Sequence, residues 1–450
     1  MRREILMPPV TPSMTDGRVS RWHVAEGQAV SAGDLLVEVA TPTATLEIEA
    51  SAEGRVERIL VPAGTDGVKV NTPIAILFGD PPGLASALAL AAVEPKAKEA
   101  RGARGGARHA GEPEEKSLTY REALRDALAE EMRADERVLV IGVDVAQNRG
   151  APKVTQGLVD EFGRERVVSL PALDEALFGL AVGAAYAGLR PVVEITSWGR
   201  ALDTLGPYLM TAAETFYLSG GKLAVPLVLR GPNGFSPGQT GEDARCVASA
   251  LARIPGLKVA QPATAASARS LLQAAIRDPG PVAVLEHEQL YATRDYATRD
   301  YATPGGVAEA GGAARVGAAR IARPGRDVTL VAAGHAVPVA LEAAYSLALD
   351  CIDVEVVDLM WLRPLDRATV AASLARTGRL VTLEEGWRDL GIGAEIVATL
   401  AAEAFRFFKT PPLRIAGASV PMPYAAELQE LALPTARRVA TEIAALVRGG

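Results

Sequence analysis

Cysteine is nearly missing from this chain: Cys246 and Cys351 are the only two in 450 residues. That is too few for a disulfide framework or a cysteine zinc site. Histidine is almost as scarce, with His23, His109, His287 and His335 as the whole set, so imidazole acid–base chemistry has few candidates. Aromatic residues make up 5% of the chain, which leaves few platforms for stacking bases. Positive charge is not in surplus either. The 47 Lys and Arg against 54 Asp and Glu give a net charge of −7, and no nucleic-acid footprint follows. No apolar run reaches the roughly 18 residues of a membrane span. The opening MRREILMPPV is too short and proline-broken for a signal peptide. The default expectation is a cytoplasmic, reducing location. A hydrophobic content of 49% at this length supports about three domains.

Residues 1–79 read as a small all-β unit that repeats itself. GRVSRWHVAEGQAV (17–30) is echoed by GRVERILVPAGTDGV (54–68). Each half alternates apolar positions and carries a glycine turn, the pattern of half-buried strands. Residues 80–116 are rich in alanine, glycine, proline and charge and lose large apolar residues after Val93, as a linker does. From Ser117 to residue 303 strands and helices alternate, which predicts a mostly parallel sheet. YREALRDALAEEMRAD (120–135) is an amphipathic helix and VLVIGVDV (138–145) a buried strand. YATRDYATRDYAT (291–303) repeats every five residues. It has no period that buries one face, so a surface loop is expected. Residues 304–323 read as a second linker, and 324–450 as a second α/β domain.

The stretch that organises the chain is VVSLPALDEALFGLAVGAAYAGLRPVVEI (167–195). It reads as strand, acidic turn, small-residue helix, strand. Asp174 and Glu175 open the helix, where acids are favoured. Gly179, Gly183, Ala184 and Ala185 leave one face nearly bare, and a bare face admits a close neighbour. An acid at a strand end that opens a helix lies where open α/β sheets keep their ligands.

This stretch continues into AETFYLSGGKLAVPLVLRGPNG (213–234), IPGLKV (254–259), AIRDPGPVAVLE (275–286), VVDLMWLRPLD (356–366), LEEGW (383–387) and VPMPYA (420–425). In that order the motifs resemble the β subunit of the decarboxylating component of pyruvate dehydrogenase-type complexes, over residues 117–450. The resemblance implies a transketolase-like pyrimidine-binding α/β domain followed by a transketolase-like C-terminal α/β domain. Residues 1–79 resemble a lipoyl or biotinyl domain, a flattened β sandwich. The family binds thiamine diphosphate between an α and a β subunit. The diphosphate and magnesium motif is not in this chain. The resemblance therefore implies an α partner in an α2β2 assembly, with magnesium on the partner's side. It also implies an acyltransferase core as a further partner and a 2-oxo acid as substrate.

Site residues are assigned position by position. Counting from Pro171 and Gly179 puts the carboxyl that activates the cofactor on Asp174, one methylene shorter than the family's glutamate. Ala172 falls in the cofactor-binding turn. Trp198 falls where a ring stacks on the aminopyrimidine, with a buried packing tryptophan as the competing reading. The family's histidine for acyl transfer falls on Asp243. A solvated aspartate is already ionised near pH 7 and has no proton to give. Carbonyls of Ala275, Ile276 and Asp278 match a potassium site. In the β unit, the lipoylated lysine falls on Thr43, which has no amine to acylate. The domain is expected and the covalent lipoyl group is not.

Two functional readings result. One is an active β subunit of a pyruvate-type dehydrogenase. The other is an altered paralogue that scaffolds a complex, or runs only decarboxylation or two-carbon transfer, since Thr43 and Asp243 replace the lipoyl lysine and its histidine. The β unit is directly testable. Lipoyl ligase should leave the intact mass unchanged, and Thr43→Lys should gain one lipoyl group. A lipoyl adduct on the unsubstituted protein would show that the modified position was misassigned.

Overall fold

The structure, a computed structural model, describes residues 2–6, 16–30, 34–40, 45–49, 54–69, 72–78, 118–147, 153–171, 174–236, 239, 241–294 and 314–449. It divides into two compact units, Met1–Lys98 and Glu99–Gly450. Thr43, Ala172, the linker at 80–116 and most of the YATRD repeat lie outside the described residues.

The amino-terminal unit is built from β1 (Arg2–Leu6), β2 (Asp16–Trp22), β3 (Ala29–Val30), β4 (Leu35–Ala40), β5 (Thr45–Glu49), β6 (Gly54–Ile59), β7 (Thr65–Lys69) and β8 (Pro73–Phe78). One sheet runs β1-β8-β6-β3 and the other β5-β4-β2-β7. Exchanging the first and second four strands converts one order into the other. The sequence echo is therefore a structural quasi-two-fold. The alternating apolar residues meet between the sheets in a core that includes Val19, Leu36, Val37, Val56 and Ile74.

The second unit carries two sheets. The first is formed by β9 (Val138–Val143), β10 (Val167–Leu170), β11 (Arg190–Glu194), β12 (Val228–Pro232), β13 (Lys258–Ala260) and β14 (Val282–Glu286), in the order β10-β9-β11-β12-β14-β13. All six run parallel. Helices cover the faces: α1 (Tyr120–Ala134), α2 (Leu158–Phe162), α3 (Asp174–Tyr186), α4 (Trp198–Leu218), α5 (Ala248–Ala252) and α6 (Ala265–Arg277). Thr119 and Thr264 start α1 and α6 with capping boxes, each satisfying two otherwise unpaired donors.

Three findings depart from the sequence reading. Trp361–Arg363, from the carboxy-terminal half, adds an antiparallel seventh strand beside β13. The two α/β domains thus share a sheet. The second sheet also begins at Arg320–Arg323, inside the stretch read as linker. The YATRD repeat differs as well, because its first residue is not surface loop. Tyr291 is buried, stacks edge-on against Tyr120 at 5.9 Å, and donates its hydroxyl to Glu286 at 2.6 Å.

At the centre of the parallel sheet sits a buried charge. Arg230 on β12 is 0% exposed. Its guanidinium donates to Glu194 of β11 at 2.6 Å and grips both oxygens of Glu286 of β14. Glu194 lies directly opposite Arg230 in the ladder. One cation serves two acids, and burial pushes the Glu194 carboxyl up against the pull of Arg230. Removing the cation leaves both acids buried without it. Arg230→Met is therefore expected to destabilise the fold by about 3–5 kcal/mol, read from urea unfolding. A loss below about 1 kcal/mol would show that the triad is not integral to the sheet.

Candidate active site

Because β9–β14 run parallel, their carboxyl ends lie on one edge, where such sheets bind ligands. This edge carries the start of α3 at Asp174, the start of α4 at Trp198, the RGPNG segment in which β12 ends, and His287 after β14. The described backbone places Asp174 as the first residue of α3. Further along that helix, a Cβ added to Gly183 would meet nothing within 4 Å. Among the described residues, that part of the small-residue face is uncovered.

Trp198 belongs to the packed interior. It is 0% exposed and its indole N–H donates to the Gly231 carbonyl at 3.1 Å. No face of the ring is free for a stack, so the packing alternative describes its place in this chain. Gly231 itself must be glycine, because a Cβ there would collide with the Ile195 carbonyl. The next helical residue, Gly199, lets the 241–246 loop come equally close, since a Cβ would strike the Glu242 carbonyl.

That contact is fastened by charge. Arg200 donates through one nitrogen to both carboxylate oxygens of Asp243, at 3.0 and 2.8 Å. Arg245 of the loop faces Asp203 of α4 at 3.7 Å and donates to the Gly199 carbonyl at 3.3 Å. The two ion pairs cross, each element giving one arginine and one aspartate. Asp243, placed by resemblance at a proton donor's position, is instead an acceptor of hydrogen bonds from a cation.

Two of the three carbonyls expected to hold potassium are also occupied. Arg190 donates to Ile276 O at 2.7 Å and Asp278 O at 3.3 Å. The Asp278 carboxylate takes Lys258 at 2.9 Å and the Gly280 N–H at 2.8 Å. Cys246 offers no ready nucleophile, because burial, and after it the Glu385 charge, push the thiol up to about 12.

A cluster that the sequence reading did not assemble joins the two domains. His287 and His335 stack at 4.2 Å with planes 7° apart. Glu385 lies 2.9 Å from His287 Nε2 and 3.5 Å from His335 Nδ1, and it accepts the Phe235 N–H. Gly234, with φ +86, turns the chain so that this N–H arrives. Three metal-type donor atoms thus lie within 4.8 Å of one another. The geometry favours a proton over an ion. Lone pairs of parallel rings do not converge on one point about 2.0–2.1 Å from both nitrogens. His287 Nδ1 also accepts from the Gln289 N–H at 3.3 Å, which puts the ring proton on Nε2, facing Glu385. The sequence signal for this cluster was the second acid of LEEGW, read only as part of a motif.

Known proteins share this architecture. Residues 3–77 match the family model described as biotin-requiring enzyme, 116–294 the transketolase pyrimidine binding domain, and 317–439 the transketolase C-terminal domain. A pyruvate dehydrogenase E1 component subunit beta from Rhizobium meliloti (strain 1021) is 43% identical over 98% of this chain and 99% of that protein. The chain belongs to the family of pyruvate dehydrogenase E1 β subunits. The Arabidopsis thaliana mitochondrial subunit beta-1 is 45% identical over 71% of this chain and 86% of its own length. A solved split-gene transketolase, described as an inactive beta4 tetramer, superposes with a TM-score of 0.57 at 23% identity. It covers 74% of this chain and 99% of that one, and shows the fold. An E1 β subunit is part of an enzyme complex, and matching at full length does not favour the scaffold-only paralogue. No helix among the described residues is long and apolar enough to cross a membrane.

In this E1 β family member the histidine cluster makes a pH-dependent contribution. Burial pushes the Glu385 carboxyl up, but the attraction of His287 and His335 when they carry a proton and the hydrogen bonds of both rings outweigh it and hold it at about 2. A carboxyl depressed in the fold stabilises it above the ordinary value of 4.5, and that stability is lost as pH falls through about 2. Glu385→Gln should therefore be less stable at neutral pH by about 2 kcal/mol. The gap should close between about pH 4.5 and 2, followed by urea unfolding. A gap that stays constant with pH would refute the charged pairing.

Proposed function

We propose that the chain supplies the pyrimidine-facing half of a thiamine diphosphate site, which an α subunit completes in a cytoplasmic α2β2 assembly. The assembly decarboxylates a 2-oxo acid of the pyruvate type and passes the acyl group to the acyltransferase core of its complex. The observation that carries this is the start of α3: Asp174 opens a small-residue helix at the carboxyl edge of the parallel sheet, in a chain of E1 β type. The uncovered side at Gly183 is compatible with a cofactor or partner surface approaching from outside.

When bound, thiamine diphosphate supplies the reactive carbon and the electron sink. The chain's own work is narrower. The Asp174 carboxyl would hold the proton opposite the aminopyrimidine, with Ala172 counted among the cofactor-binding residues by resemblance. Trp198 acts from behind, as a fixed wall tied to Gly231. Potassium at Ala275, Ile276 and Asp278 remains part of the reading, and there it competes with the Arg190 guanidinium. Magnesium sits on the partner's side. Thr43 carries no lipoyl group.

Support for a partner comes from exposed apolar surface. Tyr217 is 87% and Leu218 74% exposed at the end of α4, and Leu390 is 90% exposed in the second domain. Exposed large apolar residues such as these are compatible with a partner surface.

The isolated chain should not bind thiamine diphosphate tightly, and the complex with its α partner should. Calorimetry on both forms checks this, and tight magnesium-dependent binding to the isolated chain would overturn it. In the complex, Asp174→Ala should abolish decarboxylation, because the neighbouring acid, Glu175, points roughly 100° away along the helix. A variant with unaltered turnover would remove Asp174 from the site.

A further inference from the structure

The resemblance puts Asp243 at the position of the acyl-transfer proton donor, and its carboxylate is engaged by Arg200. The geometry points to Arg200 as the cationic group of the acyl-transfer step, with Asp243 as the residue that positions it. This inference rests on the functional reading above and adds a residue and a step to it.

Three observations converge on Arg200. It lies in the first turn of α4, at the carboxyl edge of the parallel sheet, two residues after the buried Trp198 anchor. Its side chain is 61% exposed although it is ion-paired, so the guanidinium reaches the surface. Both contacts to Asp243 use Nη2. The opposite edge, Nη1 and Nε, therefore faces outward with no hydrogen bond among the described residues. The other charged groups around it are Asp203 on α4 and Glu242 and Arg245 on the loop. Arg245 is turned to Asp203 and to the Gly199 carbonyl. The tight Gly199–Glu242 approach fixes loop against helix, which keeps the Arg200 fork oriented.

A guanidinium does different work from an imidazole. It stays charged across the working pH range and gives up no proton. In acyl transfer to a dithiolane, the carbon left electron-rich by decarboxylation would deliver an electron pair to one ring sulfur, forming a carbon–sulfur bond; loss of its hydroxyl proton to solvent and cleavage of its bond to the cofactor, whose electron pair leaves with the cofactor, would then complete the thioester. The electron pair of the S–S bond departs with the other sulfur as a thiolate. Water then supplies the proton that completes the thiol. The same two electrons oxidise the acyl carbon and reduce the disulfide. Arg200 stabilises the thiolate as its charge develops, in place of a side chain that protonates it.

The test uses the α–β complex with pyruvate and two acceptors: ferricyanide, which reads decarboxylation, and a free lipoyl domain, which reads acyl transfer. Arg200→Gln should lower the ratio of transfer to decarboxylation by on the order of 100-fold. Arg200→Lys should recover part of that ratio, because it restores the charge without the fork. Asp243→Asn should lower the ratio by on the order of 10-fold through misplacement of Arg200. The transfer rate of the unsubstituted complex should show no limb near pH 6.5, and Arg200→His should introduce one. A ratio unchanged in Arg200→Gln, or a histidine-like limb in the unsubstituted complex, would overturn the assignment. So would an unsubstituted complex that reduces ferricyanide but does not acylate the lipoyl domain. An unsubstituted complex that does neither overturns the functional reading itself.

Discussion

One arginine buried between two glutamates sets the terms for the rest of the second unit. Arg230 links β11, β12 and β14 through Glu194 and Glu286. A buried charge is tolerated only when it is paired and hydrogen-bonded, so the register of three neighbouring strands is constrained at one point. Tyr291 adds a further hydrogen bond to Glu286, and Tyr120 packs edge-on against Tyr291. The network therefore reaches from the sheet centre to the first residue of α1. An apolar sheet could slide by two residues and still bury its apolar face. This one would separate its charges.

Arg230 also positions the residues that come directly after it in the chain. Gly231 presses on the Ile195 carbonyl. The Asn233 side chain accepts the Val247 N–H at 2.8 Å, which returns the distal loop to the sheet. Gly234 then directs the Phe235 N–H to Glu385 of the second domain. A five-residue turn thus carries a strand end, a loop anchor and a domain contact. His287, one residue beyond Glu286, meets the same Glu385 from the next strand. Both ties spring from neighbouring strand ends, so the domain contact is held by the same register as the buried triad.

The site edge shows how residue type and residue role separate. By resemblance Asp243 falls at the position of a histidine, and taken alone it reads as a loss. In space it is half of a crossed pair of arginine–aspartate contacts between α4 and the distal loop. The chemistry open to that spot is then decided by Arg200, a residue with no marked neighbour in the sequence. Trp198 is the converse case. By resemblance it falls where a ring stacks on the cofactor, with a buried packing tryptophan as the competing reading, and its indole N–H satisfies a carbonyl in the interior, as a buried polar group does.

The sequence alone determined the element types, the parallel sheet, the internal echo of the amino-terminal unit and the family, through period, turn residues and ordered motifs. These are local or repetitive signals, and each is legible within about 30 residues. It also located Asp174 at a helix start, because strand, acid and small-residue helix are contiguous. Only the tertiary structure decided which charges meet. Arg200 and Asp243 are separated by 43 residues, Arg230 and Glu286 by 56, and His287 and Glu385 by 98. It also decided that Trp361–Arg363 crosses into the first sheet and that Tyr291 turns inward. The physical reason is the same throughout. An ion pair or a buried hydrogen bond depends on distance and burial in space, and a one-dimensional pattern carries neither once the partners lie on different elements.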